Sequence, residues 1–131
     1  MTGPHRIEVE VTVPVYPTEV DERVERAITA LFPEAEVEAR TGKLVGRSHS
    51  LAHLAERLRE QAIVDTARDV FRDGIDGDAF SFTLKKQVAY AGVVNFAVGN
   101  PDELGDVHVR VRVEEPSVEG FIDQLAPRTD E

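Results

Sequence analysis

The chain has 131 residues, with 25 acidic and 15 basic side chains and a formal net charge of −10. This length is typical of one domain, so we expect residues 1–131 to form a single domain. The absence of cysteine excludes disulfides, thiolate metal sites and cysteine nucleophiles. No apolar run approaches the roughly 20 residues of a membrane span, and the first residues lack a signal-peptide pattern, so we expect a cytoplasmic protein without membrane contact.

Arginine far outnumbers lysine among the basic residues, since only Lys43, Lys85 and Lys86 are lysines and the others are arginines. Scarce lysine with abundant Asp, Glu, Ala and Val is typical of salt-loving archaea, whose acidic surfaces keep proteins dissolved where charges are screened. An ordinary acidic protein is the alternative. A negative net charge normally argues against nucleic-acid binding. Under the halophilic interpretation, the negative charge reflects adaptation to salt and says little about which partner the protein binds.

The N-terminal quarter of the chain predicts a strand followed by a helix. RIEVEVTVPV alternates apolar and polar side chains, as a half-buried strand does, and Pro14 places the end of that strand at a sheet edge. We expect a helix with Thr18 as its N-cap, an apolar stripe from Val20 to Leu31, and a stop at Pro33.

The middle of the chain predicts a short strand, a loop and a long helical region. AEVEART indicates a polar edge strand, and TGKLVGRSHS indicates a loop with turns at Gly42 and Gly46. A helical stripe runs from the N-cap Ser50 to the C-cap Gly74. Its apolar spacing is uneven around residues 61–65, so we expect a kink or two consecutive helices there.

The C-terminal half predicts mainly strands. DGIDGDAF is a turn, FSFTLK a strand, and VVNFAV a further strand after a break at Gly92. NPDELGD is a second turn, VHVRVRVE alternates as a strand, and VEGFIDQL forms a closing helix before a frayed tail. Strands and helices without a regular βαβ rhythm predict an α+β fold, a two-layer sandwich with a largely antiparallel sheet and helices on one face.

The other sheet face is then solvated, and cross-strand ion pairs are expected on it. Glu8 and Glu10 lie on one alternating strand, while Arg110 and Arg112 lie on another. If these strands are neighbours, opposite charges meet across the ladder. A purely structural role for both arginines is therefore the favoured interpretation.

No sequence motif predicts a catalytic set, a metal or a cofactor. His49 and His53 have a ligand-like spacing with Glu56 beyond them, but the HExxH order and an assigned third ligand are missing. TGKLVGRS lacks the spacing of a phosphate loop, although Lys43 and Arg47 could contact a phosphate. We predict a protein that is not an enzyme.

The segment from Gln87 to Pro101 contains no charged residue and follows the lysine pair directly. Three interpretations stay open. It could be a central strand buried on both faces, with Val88, Val93 and Phe96 in the core. It could pair across a homodimer. It could also form an RNA surface, in which lysines bind phosphates, an aromatic ring stacks on a base and amides read base edges; its residues would be Lys85, Lys86, Gln87, Tyr90 and Asn95.

Two linked motifs carry a family resemblance. REQAIVDTARDVF followed by LKKQVAYAGVVNF resembles the paired signature of a small archaeal family of uncharacterised proteins described as RNA-binding. Some haloarchaeal members are described as operon proteins of dephospho-coenzyme A kinase. The resemblance spans nearly the whole chain and implies a fold similar to ribosomal protein L-five. Family members often have Lys where this chain has Val93, so one positive charge is missing. The matching polar residues, with no role implied, are Arg59, Gln61, Asp65, Thr66, Arg68, Lys86, Gln87 and Asn95.

The resulting hypothesis is a non-enzymatic RNA-binding protein without cofactor. The bases Arg59, Arg68, Lys85 and Lys86 would form one phosphate-binding patch, although a solvated helix face with ion pairs is the alternative for the two arginines. Unpaired bases would meet the polar and aromatic side chains Gln87, Tyr90 and Asn95. A homodimeric interaction module without RNA is the second hypothesis, and an accessory protein or enzyme of coenzyme A metabolism is the third.

Overall fold

A computed structural model describes residues 6–97, 106–115 and 117–127, without the side chain of residue 115. The strands in these ranges are β1 (Arg6–Pro14), β2 (Glu36–Arg40), β3 (Lys43–Ser48), β4 (Ile75–Asp76), β5 (Ala79–Lys85) and β6 (Asp106–Glu115). The helices are α1 (Asp21–Thr29), α2 (Ala52–Glu60), α3 (Val64–Asp73), α4 (Lys86–Ala89) and α5 (Val118–Leu125).

The strands form one antiparallel sheet in the order β2-β3-β1-β6-β5-β4. Apolar side chains at alternate strand positions point to one face, where they share a core cluster with the buried faces of the helices. The predicted α+β fold, with an antiparallel sheet and helices on one side, is confirmed. AEVEART is an edge strand as expected, but β1 is internal, so the edge position predicted from Pro14 is wrong. Pairing with β6 stops at Thr12, and Pro14 therefore needs no ladder donor on that side.

Aromatic packing fills the core beneath β5. Phe71 of α3 is fully buried, and its ring centroid lies 5.3 Å from that of Phe80 and 4.8 Å from that of Phe82. Phe96 meets Phe71 edge-on at 5.8 Å. Burial of side chains of this size contributes roughly 1.5–3 kcal/mol each to stability.

The segment TGKLVGRSHS, predicted as a loop, contains strand β3. The prediction is wrong because Gly46, which suggests a turn in the sequence, is not at a turn. Gly46 instead lies inside the strand opposite Val11, and a β-carbon there would come within 3.0 Å of the Ile28 side chain. Glycine thus allows α1 to approach the sheet closely. The turn at Gly42 is confirmed, since its φ of +74° is one that glycine adopts without strain.

The N-cap predicted for the first helix is wrong, whereas the break predicted in the long helical region is confirmed. α1 begins at Asp21 without a side-chain cap, so the N-cap predicted at Thr18 is wrong. The neighbouring Glu19 accepts the Tyr16 N–H instead, at 2.9 Å, and closes a turn before the helix. The break expected near residues 61–65 is confirmed, because α2 and α3 are separate helices joined through Ala62 at φ +58°.

The uncharged segment does not form the predicted central strand. Residues 86–89 make the helical turn α4, and Asn95 and Ala97 then bond to the free edge of β5. The Lys85 N–H donates to the Asn95 carbonyl at 2.8 Å, and the Ala97 N–H donates to the Thr83 carbonyl at 2.9 Å. The predicted core changes accordingly: Ala89 and Val94 are buried, Phe96 packs against the core, and Val88 and Val93 are only half-buried. Residues 100–105 of the predicted turn NPDELGD and residues 128–131 of the tail lie outside the described residues, whereas Asp106 already belongs to β6.

Candidate nucleic-acid interface

Lys86 is fully buried, although its neighbour Lys85 is exposed. Its ammonium group donates to the Pro14 carbonyl at 2.7 Å and to Glu19 Oε1 at 2.8 Å, and lies 5.4 Å from the centre of the Tyr16 ring. The first residue of α4 points inward towards the start of α1 because a helical turn follows β5. Lys86 therefore has no accessible surface to offer a phosphate, and its place in the hypothesised patch is not supported.

The other lysine and two amides do come together at one end of the sheet. Lys85 ends β5 with an exposed side chain, and Gln87 is exposed two residues later. Asn95 lies beside Lys85, because its carbonyl accepts the Lys85 N–H, and its side chain is also exposed. Backbone pairing thus assembles three of the predicted RNA-contacting residues.

The two arginines of the hypothesised patch lie elsewhere. Arg68 belongs to α3, where its side chain is 13% exposed, bonds Asp123 at 2.7 Å and donates to the Ala126 carbonyl at 3.2 Å. It fastens α5 to α3, in agreement with the ion-pair alternative. Arg59 is exposed on α2. The four predicted bases therefore do not form one exposed patch.

The two family-like motifs are joined through Gln61, a contact that sequence reasoning missed. The Gln61 amide donates to the Val94 carbonyl at 2.9 Å and accepts the Val94 N–H at 2.8 Å, as a neighbouring strand would. Arg57 Nε also donates to the Gly92 carbonyl at 2.7 Å. Arg57 of α2 and Gln61, which directly follows α2, thus hold the segment that carries Tyr90 and Asn95.

Replacing Gln61 with alanine is expected to lower the free energy of unfolding by about 1–3 kcal/mol, because the buried Val94 backbone loses both partners. Hydrogen exchange at the Val94 amide should accelerate, which NMR can measure residue by residue. The matched control is Gln87→Ala, an exposed glutamine expected to change stability by less than about 0.5 kcal/mol. Unchanged exchange at Val94 would contradict this role for Gln61.

The sheet face opposite the helices is polar, and we call it the open sheet face. Ser81 lies opposite Arg110, Thr83 opposite His108 and Lys85 opposite Asp106. Bases and acids on this face nearly balance, in contrast to the excess of acids in the whole chain. Its outward charged residues are Arg6, Arg40, Lys43, Arg47, Lys85, Arg110 and Arg112 with Glu8, Glu10, Glu36, Glu38, Asp76 and Glu114, whereas Asp106 is buried.

The predicted cross-strand ion pairs are present in part. Glu8 lies opposite Arg112, which bonds it at 3.5 Å and bonds Glu114 at 3.0 Å. The hydrogen bond from Arg112 is the main reason that the pKa of the Glu114 carboxyl lies below its usual value. Glu10 pairs with Arg47 at 3.6 Å, so Arg110, opposite Glu10, makes no ion pair within the described ranges.

A groove lies between the start of α1 and the chain after α4, and we call it the α1–α4 groove. It encloses about 620 Å³ and is lined by Thr18, Glu19, Val20, Glu22, Arg23, Arg26, Tyr90 and Ala91. Tyr90 is half-buried, and its pKa is raised chiefly by burial and further by the nearby Glu19 carboxylate. Its phenol therefore stays neutral well into the alkaline range.

His49 and His53, whose spacing resembles that of metal ligands, make other contacts in the structure. Among the residues that the structure describes, no three His, Asp or Glu side chains are grouped to hold a metal ion. His49 contacts the Ile7 carbonyl at 3.1 Å, while His53 faces Glu56 at 3.8 Å.

No helix within the described ranges has the length and apolar character needed to cross a bilayer.

Comparisons with known proteins place the chain in a family. A family model described as RNA binding matches residues 8–114. A UPF0201 protein of Thermococcus onnurineus is 42% identical over 130 residues, covering 93% of each chain. A UPF0200/UPF0201 protein of Archaeoglobus fulgidus is 36% identical over 124 residues, covering 94% of this chain but only 38% of that longer protein.

A solved structure supports the same assignment. The crystal structure of a UPF0201 protein from Methanococcus jannaschii aligns with a TM-score of 0.85 at 36% identity, covering 94% of this chain and 95% of that one. The names of these three relatives state no catalytic activity. The chain therefore belongs to the UPF0201 family of uncharacterised archaeal proteins, and it carries the region whose family model is described as RNA binding.

Proposed function

We propose that this protein binds single-stranded RNA along its open sheet face, without catalysing a reaction. The observation that carries the proposal is the balance of charge on that face. A chain of net charge −10 repels phosphates over most of its surface, whereas here bases and acids are nearly equal. The family model described as RNA binding supports the same class of partner.

The side chains of β5 and β6 suit a strand of unpaired nucleotides. Lys85, His108 and Arg110 occupy neighbouring rows of the ladder, and successive outward positions are about 7 Å apart along a strand. Within the part of the chain that the structure describes, neither Lys85 nor Arg110 forms an ion pair, so both are available to phosphates. Hydroxyls of Ser81 and Thr83 lie between them.

The amides Gln87 and Asn95 stand at the end of this row and are proposed to read base edges. Both are exposed, and the position of Asn95 is fixed by the backbone bond to Lys85. Amide side chains offer a donor and an acceptor, which matches the edges of unpaired bases. Arg59 and Arg68 have no part in this surface, and Lys86 contributes only by holding the fold beneath it.

The double variant Lys85→Glu with Arg110→Glu is expected to weaken RNA binding at least tenfold. Fluorescence anisotropy with a labelled mixed-sequence single-stranded RNA, repeated over a series of potassium chloride concentrations, measures the effect. Losing two phosphate contacts should also reduce the slope of log affinity against log salt by about 1.4.

Arg72→Glu is the matched control, because Arg72 is an exposed arginine of α3 on the helical layer. It makes the same charge change as each of the single variants Lys85→Glu and Arg110→Glu, with which it is compared. Because it lies away from the open sheet face, it is expected to leave the affinity within about twofold. An absence of RNA binding at every salt concentration would refute the proposal. An equal loss in Arg72→Glu would show only general repulsion and would refute the assigned surface.

A further inference from the structure

The α1–α4 groove combines an aromatic ring, an exposed apolar side chain and two arginines in one concave site. Its volume of about 620 Å³ lies within the range of small-molecule sites, roughly 300–1,000 Å³. Tyr90 lines one part of it, and Val20, which is 57% exposed, lines another. A large apolar side chain so exposed next to a half-buried aromatic ring suits a flat, apolar ligand group.

The arginines of the groove suit an anion. Arg23 and Arg26 are three residues apart on α1, so both project from one side of the helix. Neither forms an ion pair with any residue in the described ranges. Arginine is the side chain best matched to phosphate, because its planar fork donates two parallel hydrogen bonds.

The acidic residues of the groove do not cancel these charges. The Glu19 carboxylate is bound by the buried Lys86 ammonium at 2.8 Å and by the Tyr16 N–H, so its charge is compensated. Glu22 is the remaining carboxylate on the lining. The lining thus carries as many bases as acids, with one of its two carboxylates already bound by Lys86, whereas the whole chain is strongly acidic.

We propose that the α1–α4 groove binds a single nucleotide, with its base stacked on Tyr90 beside Val20 and its phosphate held by Arg23 and Arg26. Base stacking on an aromatic side chain and phosphate binding by arginine are the two interactions that every nucleotide can make. The nucleotide is either free or one unpaired unit of a bound RNA, and the second case rests on the proposed RNA binding. Consecutive residues connect the two surfaces: Lys85 projects from the sheet, and the Lys86 ammonium bonds Glu19 on the groove lining.

Titration calorimetry and NMR with adenosine monophosphate, adenosine and inorganic phosphate test the free-nucleotide case. We expect the monophosphate to bind at least tenfold more tightly than either fragment and to shift the Tyr90 ring signals. Tyr90→Phe should retain this binding, since the ring stays, while Tyr90→Ala should weaken it at least tenfold. Arg23→Ala with Arg26→Ala should weaken it as strongly, and Arg59→Ala with Arg72→Ala, which removes two exposed helix arginines elsewhere, is the matched control.

The same variants are then tested against the labelled RNA. If the monophosphate binds and the groove variants leave RNA affinity unchanged, the site is one for free nucleotides and the proposal stands apart from RNA binding. If the groove variants weaken RNA binding tenfold, the groove holds a nucleotide of the strand, whether or not the monophosphate binds alone. If the monophosphate does not bind and RNA affinity is unchanged, the groove proposal is overturned while RNA binding on the open sheet face survives. Monophosphate binding that is indifferent to Tyr90→Ala and to the arginine variants also overturns it.

Discussion

Replacing Lys86 with alanine is expected to lower the free energy of unfolding by about 3–5 kcal/mol, the usual cost of breaking a buried ion pair from one side. Lys86 is fully buried, and the Glu19 side chain is only 11% exposed. Without the ammonium group, the Glu19 carboxylate and the Pro14 carbonyl lose a partner away from water. Urea titration followed by circular dichroism measures the loss.

The chain contains its own control in Lys85, which has the same side chain one residue earlier but is exposed. Lys85→Ala is expected to change stability by less than about 0.5 kcal/mol. The double variant Lys86→Met with Glu19→Leu removes both charges and should recover most of the loss, since apolar replacement of a buried pair is often neutral. Equal effects of Lys86→Ala and Lys85→Ala would contradict the buried placement.

The response of stability to salt concentration should distinguish the buried Lys86–Glu19 pair from the exposed ion pairs. Arg40 and Glu38 are both about half-exposed and bond at 3.1 Å, so high salt should screen their attraction. The Lys86–Glu19 pair lies out of solvent and should keep its effect on stability in molar potassium chloride.

Replacing Gly74 with alanine is expected to cost about 3 kcal/mol, because an added β-carbon would overlap the Ser81 carbonyl oxygen. Gly74 ends α3 at a φ of −93°, which any residue adopts, so the requirement for glycine is purely one of space. The Ser81 N–H donates to the Gly74 carbonyl at 3.1 Å, and this bond draws the two backbones together. Thermal unfolding should show a correspondingly lower midpoint.

Gly77→Ala distinguishes steric overlap from backbone strain. Gly77 has a φ of +65° and open space where a β-carbon would lie. Its substitution is expected to cost only about 1–2 kcal/mol, the penalty of the left-handed conformation. A smaller loss in Gly74→Ala than in Gly77→Ala would show that the backbones separate easily at residue 74.

Strands with a clear alternation could be predicted from the sequence, and those without it could not. In β1 and β6, valines at every second position determine which side faces inward. In β3, Leu44 and Val45 are adjacent and Gly46 has no side chain, so the period of two is hidden. The inward position of Gly46 is explained by the close approach of Ile28, which is a tertiary contact.

In the candidate site, too, the contacts between residues distant in the sequence could not be predicted. Consecutive lysines look equivalent in sequence, but the change from β5 to α4 turns Lys85 outward and Lys86 inward. The partner of Lys86 is Glu19, far away in the chain, which no local pattern reveals. Likewise, Gln61 and Val94 lie in two separate sequence motifs, and only the fold shows that they bond. The uncharged segment is distinctive in the sequence, but only the fold shows that its residues 92–97 bond to Arg57 and Gln61 on one side and to β5 on the other.

The central pairing of β1 with β6 determines when this protein can fold. Ile7, near the N-terminus, lies opposite Val113, near the C-terminus, and the β1–β6 pair sits in the middle of the sheet. During synthesis, β1 cannot pair with β6 until the chain has been made as far as residue 115. Sheets closed by such distant contacts form slowly, on a scale of milliseconds to seconds. Until β6 has been made, β1 can pair with β3 alone, and the other edge of this valine-rich strand stays unpaired.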